Sequence, residues 1–468
     1  MISGEKKPME FSTITFLFYF LPLVLFLYFT SRSYLRNIIL VLSSLFFYAW
    51  GEPIYVTIML FSTIVDFTLG KLIFNSQQKN KKGLSRFFLI CSVVINLGLL
   101  IFFKYSSLLV GTVNDLINFS LTIPKIALPI GISFYTFQTM SYSIDVYRKK
   151  VKPQNNFLSF ATYVTLFPQL IAGPIVRYQT IESELSERKE NLDHGIKLFI
   201  LGLSQKVLLA NNIGLAFEEY KSGGIPNPSA LTSWFIIIAF AFQIYFDFCG
   251  YSNMAIGLGE MFGFHFPINF NKPYLAKNIS DFWQRWHISL TTWFKEYVYI
   301  PLGGNRKGTV AAIRNIIIVW FLTGIWHGAS WNFLLWGAYF AILLIVEKYF
   351  LKKWLDLSPA FIKYIYTIIL VLIGWVLFAF EDFTDMLVFF KNLFAINGLI
   401  DDSFFYLARN YFVIMALCTI ASTNLSRKIF KVFIRYNWLK TIIYIGIFIL
   451  SICYIISSGY NPFLYFRF

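Results

Sequence analysis

Long apolar runs separated by short polar segments recur along nearly the whole of this 468-residue chain. They fall near 11–30, 37–50, 54–74, 87–104, 127–145, 157–176, 196–216, 231–256, 312–327, 331–350, 361–380, 409–424 and 440–458. Several reach the roughly 20 residues that a helix needs to cross a hydrocarbon core. Others are short or interrupted, which predicts helices that enter the bilayer without crossing it. The first run is too long for the apolar stretch of a secretory signal and lacks a small-residue cleavage site, so it reads as a permanent helix. The pattern predicts an all-α polytopic integral membrane protein of about 11–13 transmembrane or re-entrant helices. With no internal repeat, low-complexity segment or soluble stretch, 1–468 reads as a single transmembrane domain.

Composition sharpens this reading. Hydrophobic residues make up 57% of the chain, aromatics 20% and charged residues only 14%, against roughly 25% charged in soluble proteins. The net charge of +16 would point to nucleic acid in a soluble chain. Here the basic residues sit between apolar runs, where the positive-inside bias and anionic lipid headgroups account for them. Arg32 with Arg36, "KLIFNSQQKNKKGLSR" at 71–86 and "RKKVK" at 148–152 are the basic clusters of the first third. Placing all three inside puts the N-terminus outside through the first five spans. Cys91, Cys249, Cys418 and Cys453 lie far apart, mostly in apolar segments, which excludes a disulfide framework or metal spacing.

The pattern breaks most clearly at 265–310, too polar to span yet dense in aromatic residues. From Ser280, a candidate N-cap, Phe282, Trp286, Leu290, Trp293 and Tyr297 recur at helical spacing. Gln284, His287, Thr291 and Lys295 occupy another face, and Asp281 and Arg285 are spaced to pair. This predicts a helix lying in the interface plane, or dipping inward where protein or water shields its polar side.

Two of the four histidines each follow a tryptophan, at Trp286-His287 and Trp326-His327. His327 sits in "FLTGIWHGASWNFLLW" (321–336), after a run of spanning length. A polar group at membrane depth usually faces a bundle interior or a cavity. Two readings stay open. Gly324 and Gly328 form a G-x-x-x-G that permits close helix contact, across which His327 would simply hydrogen-bond. On a cavity, the ring would instead rest neutral and act as a general base toward a hydroxyl. No G-x-S-x-G elbow, H-E-x-x-H or phosphate-binding glycine loop is present, so a serine triad, a metal and nucleotide hydrolysis are not expected. Asp66 and Asp247 also lie in apolar contexts, and Gln243, Asp247 and Tyr251 form one polar stripe. These groups read either as hydrogen bonds holding helices in register or as the coupling sites of an ion-coupled transporter or flippase. Asp145, beside Arg148 and Lys150, reads as an interface residue.

"ISDFWQRWHISLTTWFKEYVYIPLGGNR" (279–306) followed by "FLTGIWHGASWNFLLWG" (321–337) resembles the membrane-bound O-acyltransferase family. The "RWHISLTTWF…YIPLGG" form is similar to its branch of alginate O-acetyltransferase proteins and related polysaccharide acetylases. "LPIGISFYTFQTMSYSIDVYR" (128–148), "FPQLIAGPIVRY" (167–178), "QIYFDFCGYSNMAIGLGEMFGF" (243–264) and "YNPFLYFRF" (460–468) support it. Cys249 stands where that branch commonly carries Ser.

The resemblance implies one compact helical domain with a central tunnel, His327 as principal catalytic residue at its midpoint, and His287 as its companion. On this reading Gln243, Asp247, Tyr251, Asn278, Arg285, Trp326 and Trp331 contact substrate, and no cofactor or metal is bound. The donor is acetyl-CoA or another acyl thioester on the cytoplasmic side, its phosphates within reach of the basic residues of 295–307. The acceptor is a hydroxyl of an extracytoplasmic polysaccharide, or of a partner SGNH/esterase-like acetyltransferase that passes the group on. Membrane lipids surround a multi-pass chain of the bacterial cytoplasmic (inner) membrane. D-alanyl transfer to teichoic acid is the alternative within the same chemistry.

Overall fold

The computed structural model describes residues 9–117, 127–426, 428–429 and 436–462. The last six residues of the C-terminal motif noted above therefore lie outside the described residues. Among the described residues every regular element is helical, and ten helices are long and apolar enough to cross a membrane. The chain is an all-α polytopic membrane protein. The first apolar run forms a shorter helix, Phe16–Thr30. The run near 157–176 breaks into short pieces ending before Gly173.

The helices group into two compact units, each discontinuous in sequence. The first comprises residues 1–199 and 252–267. It holds α1 (Leu21–Thr30), α2 (Arg36–Gly51), α3 (Val56–Gln78), α4 (Lys82–Ile117), α5 (Ile132–Tyr147) and α6 (Phe157–Thr165). Phe11, Phe16, Phe20, Phe47 and Phe167 interlock as tilted and edge-on rings in its core. α3, α4 and α5 pack around Asp66, whose carboxylate accepts hydrogen bonds from Ser92 (2.5 Å), Asn96 (2.7 Å) and Ser143 (3.0 Å). Three donors on one buried carboxylate hold helices in register and leave its desolvation compensated. α5 starts at Gly131, whose φ of 74° is left-handed and whose missing Cβ leaves room for the Leu170 carbonyl oxygen.

The second unit comprises residues 200–251 and 268–468. A helix α7 (Leu192–Ser204) enters it and continues through a π-helical turn, Gln205–Ala210, into α8 (Asn211–Lys221). The long α9 (Ala230–Met261) contributes its residues up to Tyr251. Two short helices follow, α10 (Ile279–Arg285) and α11 (Ile288–Phe294). Then come α12 (Thr309–His327), α13 (Trp331–Val346), α14 (Ala360–Ala379), α15 (Phe383–Leu393), α16 (Asp402–Ser422) and α17 (Asn437–Ser457).

Two details around 280–297 differ from the sequence expectation. The helix is not continuous: it breaks at Trp286-His287, where His287 takes a left-handed φ of 43°. The N-cap of α10 is Asn278 and not Ser280; its side chain accepts from the Asp281 N–H at 2.7 Å. The break is stabilised from outside the segment, because the Asn271 N–H bonds the Arg285 carbonyl and the Ile288 N–H bonds that of Asn269, each at 2.9 Å. These bonds replace helical ones that the aromatic periodicity alone would have favoured.

Candidate active site

α12 and α13 form an antiparallel hairpin that fixes His327. A Cβ on Gly324 would come within 2.5 Å of the Phe333 carbonyl oxygen, and one on Gly337 equally close to that of Trp320. Glycine at both positions lets the two backbones touch, as small residues do in membrane helix pairs. Gly324 of the G-x-x-x-G therefore does let the helices meet, with Gly337 of α13 as its counterpart, whereas Gly328 lies past the helix end against the Phe333 ring; His327, as the last residue of α12, is carried to the end of that contact. Its ring is 6% exposed and packs edge-on against Trp336 (centroids 4.9 Å apart) and Phe378 (5.3 Å).

His287 reaches the same place from the break between α10 and α11. α10 is itself anchored by a buried carboxylate. Glu347 accepts the N–H groups of Ile279 (2.8 Å) and Ser280 (3.3 Å), satisfying orphan donors at the positive end of the helix. Asp281 and Arg285 pair at 2.6 Å, as their spacing predicted. The left-handed turn then swings the His287 imidazole inward, where it is 1% exposed. There it packs edge-on against Phe248 of α9 at 4.7 Å, and its Nδ1 lies 3.1 Å from Asn269 Oδ1. Burial pushes this imidazole down to about 3 from its ordinary 6.5, so it is neutral at physiological pH.

Trp326 lies against both rings, 5.9 Å from His287 and 5.0 Å from His327 between centroids. The two imidazoles border one cavity of about 20 Å³, closed by Trp286, Trp336, Trp375 and Phe378, with Ile244 and Phe248 of α9 behind them. That volume holds about one water molecule. The resemblance implied a tunnel at this point; among the described residues the rings border this small, mostly aromatic cavity.

The remaining sequence candidates sit elsewhere. Asp247 forms a 2.6 Å ion pair with Lys206 on the π-helical turn, both side chains almost fully buried. Gln243 donates to the Tyr460 hydroxyl at 3.2 Å. Tyr251 is buried on the same helix. Asn278 caps α10, and Arg285 is held by Asp281. Trp331, at 66% exposed, opens α13 on the outside. Of the named set, His287, His327 and Trp326 come together. Among the described residues, no group of three or more His, Cys, Asp or Glu is placed to hold a metal ion.

Two residues at the site were not legible beforehand. Asn269 belongs to a polar stretch that reads as a connection, 18 residues from the ring it binds. Trp336 looks like any core aromatic on an apolar helix. Its indole N–H is buried and has no hydrogen-bond acceptor among the described residues, although an unsatisfied buried donor costs about 1–3 kcal/mol. A lone tryptophan carries no sequence signal for this; the geometry alone reveals it.

Two imidazoles thus border one aromatic-lined cavity in a helical membrane chain. Residues 148–390 match the family model of the membrane-bound O-acyltransferases. The chain is 38% identical to the probable alginate O-acetylase AlgI of Pseudomonas putida, over 80% of this chain and 78% of that protein. It is 31% identical to the peptidoglycan O-acetyltransferase of Helicobacter pylori, over 98% of this chain and 97% of that one. It is 28% identical to the teichoic acid D-alanyltransferase of Streptococcus thermophilus, over 48% of this chain and 58% of that one. The chain belongs to the membrane-bound O-acyltransferase family, and it is an O-acyltransferase.

Proposed function

We propose that the protein moves an acetyl or other short acyl group from a cytoplasmic thioester, such as acetyl-CoA, to a hydroxyl on the far side of the bilayer. The acceptor is a cell-surface polysaccharide, or the serine of a partner acetyltransferase that then modifies it. The membrane concerned is the bacterial inner membrane, the one with the thioester pool on its inner face. The observation that carries this reading is the chamber shared by His287 and His327 in a chain of this family.

In the proposed step neutral His327 takes the acceptor proton as the hydroxyl oxygen attacks the thioester carbonyl carbon. A tetrahedral oxyanion forms and collapses, the carbon–sulfur bond breaks, and the imidazolium returns the proton to the leaving thiolate. The products are an ester and a free thiol, and the imidazole ends as it began. Trp336 supplies an N–H donor for the oxyanion; such donors in a dry site are each worth about 3–4 kcal/mol. His287, its Nδ1–H given to Asn269, contributes Nε2 as an acceptor that orients the incoming hydroxyl. Among the described residues the space beside the rings is about 20 Å³, less than a thioester fills, so this reading requires further room there when donor and acceptor meet.

The alginate and peptidoglycan relatives cover more of the chain than the D-alanyl relative does, which favours acetyl over D-alanyl transfer. The ion-coupled alternative loses its motive, because Asp247 is paired with Lys206 and Asp66 is satisfied by three donors.

The test is transfer of labelled acetyl from acetyl-CoA in membranes containing the chain, with and without a co-encoded extracytoplasmic partner. His327→Ala should lower transfer by about 10²–10⁴-fold at unchanged abundance and membrane insertion. Transfer at the wild-type rate would remove His327 from the role, and label appearing on no acceptor in any preparation would refute the acetyl reading.

A further inference from the structure

The first unit contains a cavity of about 660 Å³ that lies among residues outside the chamber described above. It joins two of the basic clusters of the sequence. α3 ends at Gln78 and α5 at Tyr147, and each is followed by a residue in the left-handed conformation, Asn80 (φ 55°) and Lys149 (φ 60°). In each case the chain folds back on its helix: the Lys81 N–H bonds the Ser76 carbonyl and the Lys150 N–H bonds that of Asp145, both at 2.9 Å. These closures satisfy the terminal carbonyls, so the lysines are not needed for that purpose. The Gln77 amide then ties the two loops together, donating to the Tyr147 carbonyl at 2.8 Å.

The result is a pocket with Lys149, Lys150 and Lys152 on one side and the amides of Gln77, Gln78 and Asn80 on the other. Lys150 has Asp145 at 3.9 Å. Among the described residues of the lining, Glu182 is the one carboxylate; burial raises its pKa and Lys152 works against that rise. Lys149, Lys150 and Lys152 share this lining with the amides of Gln78 and Asn80, the Gln77 amide being taken up by Tyr147, and that combination of cations and amide donors matches ligands with several anionic oxygens. The volume falls within the range of about 300–1,000 Å³ usual for small-molecule sites.

We propose that this pocket binds the phosphoryl groups of a phosphorylated ligand, chemistry shared by a nucleotide diphosphate and an anionic phospholipid headgroup. The proposal does not rest on the acyl-transfer reading, because the lysine variants distinguish this pocket from any site that takes the ADP portion of acetyl-CoA.

The full chain, in a detergent with a neutral headgroup, is titrated calorimetrically with ADP and with inorganic pyrophosphate. A parallel arm uses nanodiscs of phosphatidylcholine alone or with phosphatidylglycerol added. Lys149→Gln/Lys152→Gln should weaken ADP and pyrophosphate binding by about tenfold or more, removal of two charge-assisted contacts being worth at least that. Glu182→Gln should tighten it, and Lys197→Gln, whose ammonium pairs with exposed Asp193, should leave it unchanged. Competition by phosphatidylglycerol that the lysine variant abolishes identifies a headgroup as a natural source; binding indifferent to the lipid identifies the nucleotide. Absence of ADP, pyrophosphate and phosphatidylglycerol binding in the wild type, or equal binding by a lysine variant of matched melting temperature, overturns the proposal.

Discussion

Asn269 Oδ1 lies 3.1 Å from His287 Nδ1 and decides which nitrogen of that ring carries the proton. The same oxygen accepts the Ser289 N–H at 3.2 Å and the Ser289 hydroxyl at 2.9 Å. An atom facing a backbone N–H is an acceptor, so Nδ1 must be the protonated nitrogen and Nε2 the basic one. Asn269→Leu should release this choice and lower turnover by about tenfold to a hundredfold, less than the roughly 10²–10⁴-fold that a general acid–base group itself contributes. Asn269→Asp keeps an acceptor and should retain most activity. Equal rates for both variants would show that the bond only supports the fold.

The same ring predicts a pH dependence of stability. The folded protein holds His287 near 3, whereas an unfolded chain holds it near 6.5. Between those values the unfolded state binds more protons, so stability falls as pH drops from 6.5 toward 3. At pH 5 the loss attributable to this one group is about 2 kcal/mol. Melting temperature followed from pH 7 to 5 should fall more steeply for wild type than for His287→Asn. Parallel curves would mean that the ring titrates normally in the folded state.

Trp336→Phe separates chemistry from packing. It keeps an aromatic ring against both His327 and Phe378 and deletes only the indole N–H and its fused edge. If that N–H meets the oxyanion, kcat falls by about 10²–10³-fold while KM stays nearly constant. If Trp336 is only wall, activity barely changes. Stability gains from losing an unsatisfied donor, which offsets about 1–3 kcal/mol of packing loss.

The membrane class and most spans were legible because apolar run length is a direct physical requirement of the bilayer. The histidine pair was legible as sequence and as family resemblance, and Gly324 was legible as steric permission for close contact, though its counterpart is Gly337 and not Gly328. The break at His287 was not. Phe282, Trp286, Leu290 and Trp293 continue the helical period straight across it, with no Gly or Pro to mark a stop, and the bonds that hold it come from Asn269 and Asn271. Asp247 was visible as a buried carboxylate, but its partner lies 41 residues earlier, on a turn whose π geometry no residue pattern announced. Local propensity governs the first kind of feature and tertiary hydrogen bonding the second.

That ion pair yields a prediction of its own. Lys206 and Asp247 are within 2.6 Å of each other and nearly inaccessible to solvent. Removing one member leaves the other buried charge without this counter-ion, so Lys206→Met should destabilise the protein by about 3–5 kcal/mol. Replacing both, as Lys206→Met/Asp247→Leu, should recover most of that loss, because a hydrophobic pair of similar volume avoids the desolvation of two ions. Lys206 has a second task that the double variant does not restore. Its ammonium donates to the Pro462 carbonyl at 2.8 Å, beside the Asn211–Asn461 bond at 3.0 Å and the Gln243–Tyr460 bond at 3.2 Å. Those three bonds fasten residues 460–462 to α8, α9 and the π-helical turn. Melting temperature should therefore recover in the double variant while hydrogen exchange around 460–462 stays faster than in wild type. Recovery of both would show that Asn211 and Gln243 suffice to hold the segment, and recovery of neither would show that the charge pair itself stabilises the fold.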